Sequence, residues 1–242
     1  SHPRIIGALR YLTEVPISKR EFLRPMTTSA LVVEYAPEGD LLQLIQKHRG
    51  LPEVVARTYF HQIIDAVEYL HNSQICHLDI KPENVLLDKK FCAKLTDFGY
   101  AQKVPEDGLL SKVIGTKPYL SPEMHKRLEY SAYKSDLFAL GLTLFTMVSG
   151  MMPFSVARED DELYSMIKEG EYQEFWSFHE GVKRSSKSTY YSAALKNLLN
   201  SMLAYKPGSR LDLRQIREHV WFKGEVLTDD ELEAFLRGPM TK

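Results

Sequence analysis

The chain has 242 residues, 44% of them hydrophobic, which is enough for one large domain with a sizeable core. Its 31 basic and 32 acidic residues nearly cancel, so the overall charge gives no reason to expect nucleic acid or an anionic membrane as a partner. The two cysteines, Cys76 and Cys92, are too few for a secreted disulfide scaffold and lack a metal-binding spacing. We therefore expect a reducing compartment, the cytoplasm or the nucleus, and buried, inert thiols.

The beginning of the chain predicts a small β-part. Residues 4–12 and 30–35 are short, apolar and rich in β-branched side chains, so we expect a strand in each. The polar, proline-flanked stretch 16–29 between them predicts a long loop. Asp40 is placed to cap a short helix, LLQLIQKH, which Gly50 closes.

The rest of the chain is predicted to be mainly helical. Residues 52–72 carry apolar side chains at spacings of three and four, which predicts a long helix with one apolar face. Three short apolar pieces follow (QICHL, NVLLD and AKLTD), and further helices are expected around residues 136–149, 160–169, 191–203, 212–218 and 229–236. The nearly uncharged stretch 137–154 reaches the length of a membrane span, but its glycines and hydroxyl residues favour a buried core helix. Strands followed by helices indicate an α+β fold rather than alternating βαβ units.

A polar loop lies between two apolar runs at residues 76–87, CHLDIKPENVLL. On a looped backbone, Asp79 and Lys81 can point the same way while Asn84 folds back. A proton acceptor, a cation and a metal-binding oxygen would then converge. Asp97 follows in TDFG, and an Asp there can bind a hard cation such as Mg²⁺. Taken singly, Asp79 or Asp97 is more typical of a solvated turn than of a functional site, so the other motifs must distinguish these two interpretations.

Those motifs together resemble the motifs of eukaryotic protein kinases. HLDIKPEN followed by DFG is similar to the catalytic and metal loops of that family, and GTKPYLSPE resembles the end of its activation segment. SDLFALG, MMPF, Arg210 in KPGSR and His219 in HVWF follow in the family's order, so the likeness runs from residue 2 to about 223. The order of the motifs and HVWF resemble the calcium/calmodulin-dependent and AMP-activated groups. The resemblance implies an α+β, protein-kinase-like fold, a mainly helical C-lobe with a short β remnant of the N-lobe.

The resemblance also implies a division of the chain. Residues 1–36 would be the remnant of the small lobe, residues 37–225 the C-lobe, and residues 226–242 a C-terminal helix or tail. The sequence contains no G-x-G-x-x-G loop, no strand lysine of the VAIK kind and no glutamate to pair with it. Because the likeness begins abruptly at SHPRI, we expect a truncated chain whose 242 residues alone bind MgATP weakly.

Carried over to this sequence, the family's roles fall on a small set of residues. Asp79 would orient the substrate hydroxyl and accept its proton, and Lys81 would neutralise the γ-phosphate of ATP. Thr116 together with Lys81 implies specificity for serine and threonine. Asn84 and Asp97 would hold Mg²⁺. The nucleotide-binding residues would be Val33, Glu34, Ala36, Asp40, Glu83, Asn84, Leu86 and Asp97.

Other matching residues resemble structural ones. His77 and Phe98 would pack together in an internal apolar spine. Asp136 would hold the backbone of the catalytic loop, since a buried carboxylate without hydrogen-bond partners is costly. Glu123 and Arg210 would form a buried pair that ties the activation segment to the body.

Leu78 departs from the family pattern. The family usually has an arginine there, which pairs with a phosphorylated residue four positions before Thr116; here that position is Lys112. Both halves of this switch are therefore absent. Our hypothesis is that the kinase does not need phosphorylation at this position, with Ser111 as the neighbouring hydroxyl that would contradict it.

The predicted function is that of a serine/threonine protein kinase that uses ATP and Mg²⁺ and acts on protein substrates. Nucleic acid and membranes are not expected partners, and the oligomeric state stays open. Glu83 and Asp40 resemble acids that contact a basic substrate residue upstream of the acceptor, although both could be plain surface charges. Thr146 lies where kinases with a strong preference for basic substrates have another acid. This pattern predicts a mild preference for one upstream Arg or Lys.

Two alternatives accompany this prediction. A pseudokinase or interaction module would keep the fold without the chemistry. A small-molecule phosphotransferase of the aminoglycoside-kinase type is disfavoured by GTKPYLSPE, a peptide-docking feature. The last stretch, VLTDDELEAFLRG, predicts a helix capped by Thr228 and Glu231, which either packs on the body or starts a regulatory tail.

Overall fold

The computed structural model describes residues 1–17, 26–127, 129–184 and 191–238. It opens with an antiparallel hairpin made of β1 (Ala8–Ile17) and β2 (Met26–Val33). Much of the apolar surface of this hairpin faces solvent, since Leu9, Tyr11 and Leu31 are 69%, 65% and 60% exposed. The hairpin therefore adds little to the core of the chain.

The strands predicted at residues 4–12 and 30–35 are present, but their bounds are wrong. Parts of the loop predicted over 16–29 belong to the ladder instead, while residues 18–25 lie outside the described residues. The physical reason is the exposure of the hairpin: a ladder with both faces in water accepts polar residues, so apolar runs do not mark its ends.

Two helices follow the hairpin as predicted. Asp40 caps α1 (Leu41–His48), and its carboxylate accepts a hydrogen bond from the backbone N–H of Gln43 at 2.8 Å. The long helix α2 (Glu53–Asn72) buries its predicted apolar stripe in the core. The backbone N–H of Gly50 bonds to the carbonyl of Ile45 at 3.0 Å, which closes α1.

Short antiparallel strand pairs hold the loops that follow α2. The strands are β3 (Ile75–Cys76), β4 (Val85–Leu87), β5 (Ala93–Leu95), β6 (Gln102–Lys103), β7 (Leu109–Leu110) and β8 (Tyr130–Ser131). β3 pairs with β6, β4 with β5, and β7 with β8. These pairs fix the ends of the loops, so the loop residues between them have defined positions.

The described helices beyond residue 121 form the body of the chain. They are α3 (Pro122–His125), α4 (Ala132–Ser149), α5 (Glu162–Glu169), α6 (Tyr172–Arg184), α7 (Ala193–Met202), α8 (Leu213–Glu218) and α9 (Asp229–Arg237). α4 is buried along almost its whole length, which confirms the predicted core helix. Among the described helices, none combines the length and the apolarity that crossing a bilayer needs. The α+β fold class is as predicted.

Helix α6 is absent from the predicted elements. Its segment has no Ser, Thr, Asp or Asn at its start and contains Gly181, so the usual start signal is missing. The buried residues Phe175, Trp176 and His179 nevertheless follow a helical spacing. This spacing is the signal that could have identified the helix.

The described residues form two apolar clusters. The larger one joins α1, α2, α4, α5, α6 and α7. The smaller one, called the second cluster below, consists of Cys76, Leu78, Val104, Leu120, Met124, Tyr130 and Ala132, with Leu110, Ile114 and Tyr133 packed against it. Both cysteines are free and buried as predicted; burial raises the pKa of Cys76, and it raises that of Cys92 to about 11.

The C-terminal helix α9 packs on the body, which decides a question that the sequence left open. Thr228 and Glu231 form the predicted capping box. Leu232 is fully buried in the main core, and the guanidinium of Arg4 lies 3.0 Å from the Asp229 carboxylate. The helix thus connects the first residues of the chain to the large body.

Candidate active site

A buried carboxylate on α4 holds the loop that precedes the predicted catalytic acid. The two oxygens of Asp136 accept hydrogen bonds from the backbone N–H groups of His77 at 2.9 Å and Leu78 at 2.8 Å. Burial by itself would raise the pKa of Asp136, but the hydrogen bond and charge of His71 outweigh it and hold the pKa low. Asp136 is 1% exposed, so these partners are what make its burial tolerable. It has the position predicted for it.

Sequence reasoning missed His71, in the last turn of α2. Its Nε2 lies 2.9 Å from the Oδ2 atom of Asp136. The ligand atoms of His71, Cys76 and Asp136 all lie within 4.8 Å of one another, an arrangement compatible with a metal ion. Both carboxylate oxygens already accept backbone hydrogen bonds, however, so we interpret the group as a hydrogen-bonded network. The sequence gives no local signal for this contact, because the two residues are 65 positions apart.

The predicted catalytic residues Asp79, Lys81 and Thr116 lie together. The Lys81 ammonium is 2.7 Å from Oδ2 of Asp79 and 2.5 Å from Oγ1 of Thr116. The backbone N–H of Thr116 donates to Oδ1 of Asp79 at 2.8 Å. Burial alone would raise the pKa of Asp79, but hydrogen bonds from Lys81 and Thr116 lower it below its usual value. Asp79 is therefore ionised at neutral pH although it is only 2% exposed.

Asn84 completes this arrangement. Its Nδ2 donates to the carbonyl of Asp79 at 2.8 Å and to Oδ2 of the same residue at 2.9 Å. Both contacts use the nitrogen, which leaves the Oδ1 oxygen as the atom available to a cation. The sequence prediction that Asn84 folds back onto the loop therefore agrees with the geometry.

The second predicted metal ligand, Asp97, is at the same end of the β4–β5 pair. The backbone N–H of Thr96 bonds to the carbonyl of Asn84 at 2.9 Å, so the next residue, Asp97, lies beside Asn84. Asp97 has a left-handed backbone with φ 59°, and it accepts a hydrogen bond from the N–H of Gly99 at 3.2 Å. It is exposed, with its remaining lone pairs free for a ligand. An amide oxygen and a carboxylate are hard ligands of the kind that Mg²⁺ prefers.

His77 links the two loops. Its Nδ1 accepts from the backbone N–H of Asp79 at 3.3 Å, so the ring proton is on Nε2, which donates to the carbonyl of Thr96 at 2.9 Å. The His77 ring lies 5.1 Å from the ring of Phe98 between centroids. The two residues pack as the sequence predicted.

Several of the residues predicted to bind nucleotide lie at the end of β2, at the start of α1 and in β4. Leu86 forms an isolated bridge with Asp40, which brings both together beside β4. Val33 ends β2 and is 37% exposed, and Ala36 follows it in the segment that leads to Asp40. The carboxylate of Asp40 is used by the cap of α1, because both its oxygens accept from Gln43.

Glu34 and Glu83 differ in how their carboxylates are used. Glu34 contacts the Lys94 ammonium at 2.7 Å and the backbone N–H of Gly7 at 3.2 Å, and the hydrogen bond from Lys94 lowers the pKa of Glu34. In Glu83, the Oε2 atom is buried and has no hydrogen-bond partner among the described residues. Of the two acids predicted to meet a basic substrate residue, Asp40 is engaged by the cap of α1, whereas Glu83 has a buried oxygen without a partner among the described residues.

Leu78 is a buried member of the second cluster. It is 6% exposed and has a left-handed backbone with φ 62°, a conformation that L-residues other than glycine seldom adopt. Gly115 approaches it so closely that a Cβ atom at position 115 would lie 2.4 Å from the Leu78 carbonyl oxygen. The carbonyl of Lys112 accepts from the hydroxyl of Tyr130 at 2.8 Å. Leu110 and Ile114 pack against the same cluster, so the segment before Thr116 is held beside Leu78 by apolar packing and by this hydrogen bond.

The predicted buried pair is present. Both oxygens of Glu123 accept hydrogen bonds from Arg210 at 2.7 Å, in a bidentate arrangement. Arg210 also donates to the carbonyls of Ala204 and Lys134 and lies over the ring of Phe138. The pair connects α3 to the turn before α8.

Comparisons with known proteins agree with this geometry. Residues 1–222 match the family model described as protein kinase domain. The chain is 35% identical over 228 residues to CBL-interacting protein kinase 11 of Oryza sativa subsp. japonica, which covers 93% of this chain and 40% of the relative. It is 38% identical over 206 residues to serine/threonine-protein kinase PKH1 of Saccharomyces cerevisiae, which covers 79% of this chain and 25% of the relative.

A third relative is the carbon catabolite-derepressing protein kinase of Secale cereale, 34% identical over 228 residues, with 93% of this chain and 40% of the relative covered. The chain thus spans at most about two fifths of the length of these curated relatives. The family model covers nearly the whole chain, and the motifs that it matches are the ones that form the site. The chain belongs to the protein kinase domain family.

Proposed function

We propose that this chain is the catalytic lobe of a serine/threonine protein kinase that transfers the γ-phosphoryl group of MgATP to hydroxyl groups of protein substrates. The observation that carries the proposal is the convergence of Lys81, Thr116 and Asn84 on the carboxylate of Asp79. The kinase names of the relatives support the same reaction.

Asp79 has the ionised state and the unused hydrogen-bond acceptor site that the proposed role needs. A carboxylate offers about four lone-pair sites, and Thr116, Lys81 and Asn84 use three of those of Asp79. One site remains to accept the hydrogen of a substrate hydroxyl. The lowered pKa keeps Asp79 ionised, so its carboxylate would accept a hydrogen bond from this hydroxyl and orient it. The proton would move to Asp79 late, as the transfer makes the hydroxyl more acidic.

Lys81 and Thr116 give the proposal its serine/threonine character. Their contact of 2.5 Å fixes the ammonium beside the acceptor position, where its positive charge would stabilise a transferring phosphoryl group. When bound, MgATP would supply the phosphoryl group. Oδ1 of Asn84 and the carboxylate of Asp97 would hold its metal ion, and Leu86 would lie under the nucleotide.

A pseudokinase or interaction module is the second candidate. The exposed apolar side chains of the β1–β2 hairpin favour it, because such surfaces mark binding sites. The sequence also contains no glycine-rich loop or strand lysine within these 242 residues. A direct measurement of phosphoryl transfer separates the two candidates.

The test compares phosphoryl transfer by the longest natural polypeptide that contains this chain with that of its variants. Radiolabelled MgATP and a degenerate peptide mixture are supplied, and the labelled amino acid is identified after hydrolysis. We expect label on serine and threonine, and a loss of about 100-fold or more in Asp79→Asn. Asp97→Asn should also lose transfer and should weaken the Mg²⁺ dependence, whereas Asp230→Asn, at an exposed carboxylate on α9, should be unaffected.

Two outcomes would contradict the proposal: label on tyrosine alone, or full activity in Asp79→Asn. Residues 1–242 should be assayed in parallel. We expect weak MgATP binding by calorimetry and little transfer from residues 1–242 alone, because they contain no glycine-rich loop and no strand lysine, and strong activity there would contradict this expectation.

A further inference from the structure

The segment around Thr116 carries more positive than negative charge. Residues 111–127 contain one acid, Glu123, and its carboxylate is fully engaged by Arg210. The basic residues of the segment are Lys112, Lys117, Lys126 and Arg127. Lys126 pairs with Glu159 at 3.5 Å, whereas Lys117 is exposed and has no ion pair with any described residue.

Lys117 is rigidly placed beside the catalytic acid. Thr116 donates its backbone N–H to Asp79, and Lys117 starts the tight turn Lys117–Tyr119. Two hydrogen bonds fix this turn: the Tyr119 N–H donates to the Thr116 carbonyl at 2.8 Å, and the Leu120 N–H to the Lys117 carbonyl at 3.3 Å. The Cα atom of Lys117 is thus about 3.8 Å from that of Thr116.

The geometry limits which substrate positions Lys117 can reach. An extended peptide advances about 3.3 Å per residue. If its acceptor hydroxyl is bound at Asp79, only the residues next to the acceptor pass close to Lys117. An opposite charge on one of them would therefore meet an ammonium group that has no competing carboxylate partner among the described residues.

Arg158 is a second cation in this region, but its guanidinium already has a carboxylate partner. Burial lowers the pKa of His125, and the charges of Arg158 and Lys117 lower it further, so both cations lie near this imidazole. Arg158 makes a two-pronged contact with Asp160 at 3.0 and 2.8 Å. His125 is neutral at pH 7 and Arg158 is paired, so of these three neighbouring groups Lys117 is the one whose charge can meet a substrate.

We propose that Lys117 is a specificity-determining residue, which selects protein substrates with an Asp or Glu side chain within two residues of the phosphoacceptor. This proposal rests on the proposed function, since it concerns the substrate of the same site. It is independent of the predicted upstream basic preference, which depends on Glu83. An exposed ion pair of this kind changes kcat/KM by about twofold to fivefold.

The test is a charge scan along a peptide with a single serine. One Asp is moved through each position from the fourth residue before the serine to the fourth after it, and a matched peptide has Asn at the same place. The ratio of kcat/KM for Asp to that for Asn is measured for the natural polypeptide and its Lys117→Ala and Lys117→Glu variants. Lys126→Ala is the control, because that neighbouring lysine already has a carboxylate partner.

We expect the ratio to reach about two to five at one position within two residues of the serine. It should fall to about one in Lys117→Ala and below one in Lys117→Glu, and it should stay unchanged in Lys126→Ala. Because the ratio is taken within each variant, a change in that variant's activity on the Asn peptides does not affect the comparison. The same ratio in every variant, or a maximum further from the serine, would overturn the assignment of Lys117.

A failure of the proposed function can be distinguished from a failure of this inference. If the natural polypeptide phosphorylates none of the peptides, the kinase proposal fails. Recognition is then measured directly, by fluorescence anisotropy of labelled Asp and Asn peptides with residues 1–242. Tighter binding of the Asp peptide that is lost in Lys117→Glu supports the inference, and equal binding of both peptides refutes it.

Discussion

Leu78 offers the most direct test of how the activation segment is held. In the second cluster, Leu78 packs with Val104 and Leu120. Val104 comes before Thr116 in the chain and Leu120 comes after it, so Leu78 joins both ends of this segment. A phosphate-binding arginine is absent at this position, so apolar packing would have to order the segment. The change Leu78→Ala removes this packing and keeps a Cβ atom, so the strain of the left-handed backbone at φ 62° is the same in both proteins.

The expected magnitude follows from the burial of Leu78. The side chain is 6% exposed, and replacing a buried leucine with alanine costs about 2–5 kcal/mol. If the substitution lowers the free energy of local opening of the segment by 2 kcal/mol, the protection of its amides against exchange should fall by about 30-fold. The amides to follow are those of Val104, which bonds to the carbonyl of Gln74 at 2.7 Å, and Thr116, which bonds to Asp79.

Hydrogen exchange on the purified, unphosphorylated chain is the assay. We expect measurable protection of the Val104 and Thr116 amides in the wild type and at least about a 30-fold loss in Leu78→Ala. Leu87→Ala is the control, because Leu87 is also buried but belongs to the main cluster. It should lower the global free energy of unfolding without selectively exposing the segment. Unprotected amides in the wild type, or no difference between the two variants, would refute this reasoning.

Three further predictions concern the stability of the fold. Arg210→Ala should lower the free energy of unfolding in urea by about 3–5 kcal/mol because it removes a fully buried side chain and leaves the largely buried carboxylate of Glu123 unpaired, whereas Arg217→Ala, at a more exposed pair, should cost at most about 1 kcal/mol. Leu232→Ala should cost about 2–5 kcal/mol, and the exposed Phe235→Ala much less; equal effects would mean that α9 is not docked. Burial lowers the pKa of His179 to about 4, so the unfolded chain binds more protons below pH 6.5, and this residue's share of stability falls as the pH decreases. When the pH falls from 7 to 5, the wild type should lose about 2 kcal/mol of unfolding free energy through His179, and His179→Gln should not show this loss. The same pH dependence in both proteins would contradict the role given to His179.

The residues that could be predicted from the sequence share one property: their roles depend on neighbours close in the chain. The apolar stripe of α2 is set by spacing alone, and Asp79, Lys81 and Asn84 lie within one short loop. The position of Thr116 beside this loop was predictable only through the family resemblance. Local patterns and a known order of motifs were therefore sufficient for the centre of the site.

What could not be predicted depends on contacts between distant parts of the chain. His71 and Asp136 are 65 positions apart, and nothing in the residues around either one indicates their contact. The docking of α9 brings Asp229 to Arg4, 225 positions earlier in the chain. The second cluster forms only when the segment folds back onto Leu78, so the sequence showed a missing arginine but not the packing that replaces it.

Asp79 and Asp97 are fixed in place to different degrees, and this difference affects how the site would work. Asp79 is 2% exposed and its carboxylate accepts three hydrogen bonds, while the peptide groups before it are fixed by Asp136. Asp97 is exposed, and its described contact is one weak bond from the N–H of Gly99. The group that would meet the substrate hydroxyl is therefore pre-organised by the chain itself, as electrostatic stabilisation of a transition state requires. The carboxylate that would meet the metal ion retains conformational freedom, so we expect its final position to be set by the bound MgATP.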